Sequence, residues 1–252
     1  MQIERLSCFP WLVEIDLYDN GIIKIENLEH CLNLLILDLS FNRISKIEGL
    51  ETISTLETLH LAHNRITRLE GLEKLKELRV LEVGANQIVS IEAALAKNLK
   101  LEQLFLTKNK LRSIDGLENL CNLRVLALQY NQIENISGLD RLVNLEELYL
   151  GNNFLKVVEG LENNQNLKIL DISNNYISKL DGLGHLSELE DLWANGNKLE
   201  SFLELEKLSN CKKLASVYFE NNPWSSHSRY FCILRKYLPT VSKVDAAIIK
   251  WT

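Results

Sequence analysis

The sequence predicts a solenoid of the α/β class, with a curved parallel sheet on the concave face, short 3₁₀ turns on the convex face and a separate C-terminal cap. Three observations predict it. The pattern LxxLxLxxNx(I/L) occurs ten times in register, with its asparagines at 20, 42, 64, 86, 109, 131, 153, 175, 197 and 222. The spacing is 22 residues, apart from one step of 23 and one of 25, a constancy that marks stacked copies of one supersecondary unit. After Asn222 the pattern stops at Pro223, and an amphipathic stretch follows before Pro239. Residues 1–11 therefore read as a short N-terminal cap or partial repeat, 12–222 as ten repeats and 223–252 as the C-terminal cap.

Each turn opens on a strand. In its xLxLx segment the leucines point inward and the three intervening residues outward, because side chains alternate across a strand. One turn cannot bury its leucines alone, so turns stack and share a continuous core. The asparagine follows the strand where the chain bends, and its amide satisfies backbone groups that the bend would leave unpaired. On the return leg Gly49-Leu50, Gly71-Leu72, Gly116-Leu117, Gly138-Leu139, Gly160-Leu161 and Gly182-Leu183 recur. The glycine permits a tight turn and the leucine plugs the core. Roughly eight residues remain for this leg, a length that suits 3₁₀ turns and not full helices. Beyond the repeats, Tyr230, Ile233, Leu234 and Tyr237 fall at helical spacing, so a helix over about 227–237 is expected to cover the last turn.

Apolar residues make up 46% of the chain and charged residues 25%, the balance of a folded protein. A net charge of −6 argues against a general nucleic-acid or anionic-membrane binder. The five cysteines are odd in number, scattered and without a CxxC pair. Cys31, Cys121 and Cys211 lie just upstream of a repeat core and are expected to be packed, reduced thiols, which favours an intracellular, reducing compartment; nucleus or cytoplasm is the expected location. The N-terminus lacks the basic-then-apolar pattern of a signal peptide, and no apolar run nears the length of a membrane span. The thin start before the first repeat is compatible with missing upstream sequence.

The sequence holds no glycine-rich phosphate loop, HExxH, paired-cysteine metal site or GxSxG elbow, so no enzyme activity, metal or cofactor is expected. One row looks chemical: Asp38, His60 and Glu82 occupy the same strand position in successive repeats. Two carboxylates beside a histidine are able to bind a metal or move protons, but an open sheet excludes little water, and a solvated polar row is the simpler reading. The thirty outward strand positions contain eight acids and no lysine or arginine. Their middle row reads Asp16, Asp38, His60, Glu82, Phe105, Ala127, Tyr149, Asp171, Trp193, Tyr218. Acids beside large aromatics on a rigid surface describe a patch for a basic protein partner, and the missing cations argue against nucleic acid on this face.

The segments EIDLYDN, ILDLSFNRI, VLEVGANQI, LFLTKNKL, VEGLENNQNLKILDISNNYI, LWANGNKLES, SVYFENNPW and YLPTVSKVDA closely resemble the leucine-rich-repeat regulatory subunits of type-1 protein phosphatase, the Sds twenty-two class. The resemblance runs in register from Leu12 to Trp251. It implies a leucine-rich-repeat solenoid that is monomeric on its own and has no activity of its own. Its concave face would hold the phosphatase catalytic subunit, with a second phosphatase inhibitor in a ternary complex, and control its activity, assembly or location. It implicates Asp38, Glu82, Phe105, Asp171, Asp191, Trp193 and Tyr218; His60 and Tyr149 join them from the surface reading. Asp191 stands where the family commonly has Glu, and His60 where it usually has Phe. Family members also carry further repeats before the point where this sequence begins. Short 22-residue repeats also occur in cytoskeletal or ciliary adaptors and in splicing scaffolds; the order of acids and aromatics in the middle row favours the phosphatase reading.

Overall fold

The first inward residue of each of the ten pairs lies at the centre of a three-residue strand, and the second just beyond it, in the computed structural model, which describes residue 3 and residues 8–92, 94–245 and 247–248. The strands are β1 (Glu14–Asp16), β2 (Ile36–Asp38), β3 (Thr58–His60), β4 (Val80–Glu82), β5 (Gln103–Phe105), β6 (Val125–Ala127), β7 (Glu147–Tyr149), β8 (Ile169–Asp171), β9 (Asp191–Trp193) and β10 (Ser216–Tyr218). They pair in sequence order, all parallel, with the same repeat position opposite itself at every step. The inward leucines are fully buried from Leu37 onward, Leu126 among them.

Nine of the ten asparagines close their turns as expected; Asn20, in the first turn, only donates to the Tyr18 carbonyl at 2.9 Å. Asn131 is representative: its Oδ1 accepts the Leu111 N–H at 3.0 Å, and its Nδ2 donates to the carbonyls of Leu106 at 3.0 Å and Leu128 at 2.9 Å. One amide thus ties its own turn to the previous one. Asn42, Asn64, Asn86, Asn109, Asn153, Asn175, Asn197 and Asn222 repeat the arrangement. The residue before each asparagine is left-handed, from Asp19 (φ 56) to Asn221 (φ 57).

The return legs are mostly single turns closed by i→i+3 backbone bonds, such as Cys31 N–H to Leu28 O and Leu34 N–H to Cys31 O. Two extend into 3₁₀ helices, at Asp181–Leu183 and Phe202–Leu208. Gly49 is left-handed (φ 72), and a Cβ there would strike the Ile25 carbonyl oxygen. Gly182 has no left-handed φ but sits even closer against the Val158 carbonyl. One packing expectation fails. Cys31 and Cys211 are buried, whereas Cys121 is exposed. Cys31 and Cys211 stand three residues before the first leucine of their repeats and Cys121 only two before Leu123, which turns it outward.

The cap begins with a 3₁₀ turn at Pro223–Ser226, and α1 (Tyr230–Tyr237) buries Tyr230 and Leu234 over the last turn. Trp224 stacks on Phe202 at 5.5 Å and meets Phe219 edge-on at 5.4 Å. A short hairpin, β11 (Lys243–Val244) and β12 (Ala247–Ile248), then extends the sheet, β11 parallel to β10 and β12 antiparallel to β11. Asp245 takes over the role of an asparagine here, accepting from the N–H groups of Phe219 and Glu220 at 2.7 and 2.9 Å and from the Tyr230 hydroxyl at 3.1 Å. The N-terminal cap expected over 1–11 lies largely outside the described residues, as do positions 246 and 249–252 of the C-terminal one. Ile3 is buried, and Asn27 donates to its carbonyl at 2.6 Å.

Candidate functional site

The parallel register places the middle row on one concave line, each residue opposite the next. The row divides into a charged half and an aromatic half. Asp16 and Asp38 each turn one carboxylate oxygen to the N–H two residues on, Tyr18 at 2.9 Å and Ser40 at 2.7 Å. A short aspartate therefore closes the end of its own strand while keeping its charge on the face. Glu82 is one methylene longer and reaches sideways instead, meeting His60 Nδ1 at 2.8 Å. That hydrogen bond, with the Glu82 and Asp38 charges, raises the His60 pKa against the opposing effect of burial. The same bond lowers that of Glu82. Among the described residues no three His, Cys, Asp or Glu side chains converge as a metal site.

Phe105, half-buried, begins the aromatic half, and Ala127 beside it is buried. Tyr149 donates its hydroxyl to Glu147 at 2.7 Å; burial and this bond to a carboxylate push its pKa far up. Trp193 packs edge-on between Tyr149 at 6.1 Å and Tyr218 at 6.0 Å. Tyr149 and Trp193 stand on strands two apart, with Asp171 between them. Their backbones are therefore separated by about 9.6 Å, so the two rings lean together over Asp171. This explains why Asp171 is only 5% exposed, although its position points outward. Its Oδ1 accepts the Ser173 N–H at 2.9 Å, yet burial dominates and raises its pKa. Gly151 leaves the space the carboxylate fills, since a Cβ there would meet both oxygens of Asp171.

The sequence places Trp193 on the open surface; the structure corrects this to half-buried, with its Nε1 covered and without a hydrogen-bond partner. Asp191 sits two residues earlier on the same strand face, half-buried. Two contributors were not singled out from sequence. Glu147 was recoverable as the same-face neighbour of Tyr149. Lys243, whose ammonium lies 5.0 Å from the Tyr218 ring centre, was not, because it arrives on the unforeseen strand β11.

Comparison with known proteins bears on the repeats. The family profile described as Leucine Rich repeats (2 copies) matches residues 54–97, 99–141 and 143–185, more than half of the chain, and the profile Leucine Rich repeat matches residues 30–54. No curated protein matches the sequence. Among solved structures, a leucine-rich-repeat protein of Leptospira interrogans is 24% identical with a TM-score of 0.75, over 94% of this chain and 67% of its own. Internalin C2 of Listeria monocytogenes is 27% identical with a TM-score of 0.65, over 81% and 79%. A further Listeria internalin is 19% identical with a TM-score of 0.60, over 94% and 88%. Among the described residues no helix is long and apolar enough to cross a membrane.

Proposed function

This chain belongs to the leucine-rich-repeat family, whose members bind protein partners, and we propose that its concave face holds the catalytic subunit of a type-1 serine/threonine protein phosphatase as a non-catalytic regulatory scaffold. The observation that carries the reading is the Tyr149–Trp193–Tyr218 cluster, set among Glu147, Asp171 and Asp191 on a sheet face without a single outward lysine or arginine in its ten repeats. Aromatic anchors bordered by carboxylates suit a partner with a basic, partly apolar surface. Lys243 over Tyr218 is the chain's own example of a cation taken on this face. The choice of phosphatase rests on the segment resemblance from Leu12 to Trp251 and on the order of the middle row. Asp38, His60, Glu82, Phe105, Tyr149, Asp191, Trp193 and Tyr218 are the proposed contacts, with Asp171, implicated by the resemblance, buried beneath the Tyr149 and Trp193 rings.

Titration calorimetry of the purified catalytic subunit against Trp193→Ala tests this. Truncating a central tryptophan anchor removes about 2 kcal/mol or more of interface energy, so affinity should fall at least about tenfold. Its two edge-on ring contacts make a stability loss of about 1–3 kcal/mol expected as well, and circular dichroism at the assay temperature separates the two effects. Unchanged affinity in a folded variant, or no binding by the wild type, removes the reading.

A further inference from the structure

Charge is distributed differently over the two rims of the sheet. On the rim at the N-terminal ends of the strands five cations have a carboxylate beside them. Arg79 pairs with Glu102, Lys100 with Glu77 at 2.5 Å, Arg124 with Glu146 at 2.5 Å, Lys168 with Glu146 at 2.7 Å and Lys213 with Glu188 at 2.5 Å. Such pairs leave little net charge for a ligand. The opposite rim follows the strands and carries the asparagines. Four of its outward positions are the residue before each asparagine and the first, third and fourth after it. In turns one to six these twenty-four positions hold eight lysines or arginines and two acids, Asp19 and Glu134. Lys24 and Lys46 meet Glu26 and Glu48. Arg43, Arg65, Arg68, Lys108, Lys110 and Arg112 are exposed and have no carboxylate within ion-pair distance among the described residues. In a chain of net charge −6, composition does not force unpaired cations together.

The backbone here supplies an independent sign. The position before each asparagine is left-handed in every turn, which Asn152, Asn174 and Gly196 satisfy readily. Turn two instead has Phe41 (φ 56) and turn six Tyr130 (φ 57). Bulky side chains are disfavoured in this conformation, so the aromatics are not there for the turn's sake. Both are exposed. Phe41 stacks on His63 at 4.1 Å and meets Tyr18 at a tilt at 4.9 Å, and Lys108 lies 5.6 Å from the Tyr130 ring centre. Backbone ladder bonds continue along this rim, as from Arg65 N–H to Ile44 O at 2.8 Å and from Lys110 N–H to Ile88 O at 2.8 Å. Adjacent turns are therefore about 4.8 Å apart, and Phe41 to Tyr130 spans about 19 Å.

We propose that this rim, from turn two to turn six, is a second binding strip that takes an acidic, extended peptide segment of about six residues with an apolar side chain at each end. An extended chain rises about 3.3 Å per residue, which matches the distance between the two aromatic ends. The strip is narrow. The acids of the concave row, Asp38 and Glu82, flank it on one side, and Glu48, Glu70 and Glu92 of the return legs on the other. A single peptide strand fits between them, whereas a duplex or a long phosphate polymer would set its charges against both rows.

Fluorescence anisotropy of the full chain with the fluorescein-labelled peptide Phe-Glu-Asp-Glu-Asp-Phe tests the proposal. Saturable binding is expected, weakened at least about tenfold by the combined Arg43→Gln, Arg65→Gln and Arg68→Gln substitutions, with several modest ion-pair contributions lost together. Trp193→Ala should leave it unchanged, which separates this strip from the concave face. The isosteric amide peptide Phe-Gln-Asn-Gln-Asn-Phe should not bind. Absence of saturable binding, equal affinity in the triple variant, or tighter binding of an oligouridine than of the peptide would each overturn it.

Discussion

Two residues on the concave face carry charge states that a solvated row would not produce. His60 is favoured in its protonated form by Glu82, and Glu82 in its ionised form by His60. A raised histidine contributes stability that is complete below the ordinary value of 6.5 and is lost as pH rises through the folded value. A lowered glutamate contributes stability that is present above 4.5 and is lost as pH falls through the folded value. The pair is therefore at full strength between those two ordinary values. An NMR titration of the His60 ring should show a midpoint above 6.5, and Glu82→Gln should bring it down; a midpoint that stays put would show that the hydrogen bond does not set it. Asp171 behaves in the opposite sense to a useful ion pair. Its folded pKa is raised by burial, so the fold bears no penalty below the ordinary 3.8 and an increasing one as pH rises through the folded value. Asp171→Asn keeps an oxygen for the Ser173 N–H and removes the buried charge. It should raise the melting temperature at pH 7, with the gain shrinking in acid; a lower melting temperature at pH 7 would contradict the assigned burden. The sequence made the row legible but not this burial, because the burial depends on rings from two neighbouring strands closing over the site and on Gly151 leaving room beneath.

At the scale of one turn, the same side-chain type performs two different jobs according to its register. From Asn42 onward the asparagine after each strand satisfies three backbone groups at once, and its period made it readable. Asn98 and Asn164 are also fully buried, but they stand three residues before the first leucine of their repeats, a slot filled by Leu75, Leu120, Leu142 and Leu186 elsewhere. Asn164 Nδ2 donates to the carbonyls of Leu139 at 3.1 Å and Leu142 at 2.9 Å, while its Oδ1 has no partner. Both carbonyls already accept backbone N–H groups, from Leu142 and Leu145. Asn164→Leu therefore strands nothing and removes a buried orphan oxygen, so a gain of about 1–2 kcal/mol is expected. Asn131→Ala strands the Leu111 N–H and weakens two turn closures, which should cost about 2–4 kcal/mol. Denaturant unfolding of the two variants should move in opposite directions; a loss in both would mean the second slot also needs its amide. Sequence pattern alone did not separate these asparagines, because nothing in composition reports which backbone groups are already paired. The strand β11 escaped for a related reason. Two residues carry no periodicity, and its partner edge exists only once the tenth turn is folded.

Over the whole molecule, the repeat fixes where every outward residue lies, so a one-dimensional list of positions becomes a map of charge. The acidic concave row, the rim of ion pairs and the basic asparagine rim were all latent in the sequence. Only the first was read there, because strand positions were counted and rim positions were not. This map separates two contributions to partner binding. Carboxylates spread over the charged half act at a distance and set the encounter rate, which screening by salt reduces. The aromatic half acts only on contact and sets how long the complex lasts. For the proposed phosphatase complex, Asp16→Lys with Asp38→Lys should slow association several-fold and flatten its dependence on ionic strength, with little change in dissociation. Trp193→Ala should do the reverse, leaving association near the wild-type rate and speeding dissociation at least about tenfold. Surface plasmon resonance at low and physiological salt measures both rates on the same samples. If both variants act on the same rate constant, the two halves of the concave face do not divide the work, and the split seen between β1–β4 and β5–β10 is a matter of packing alone.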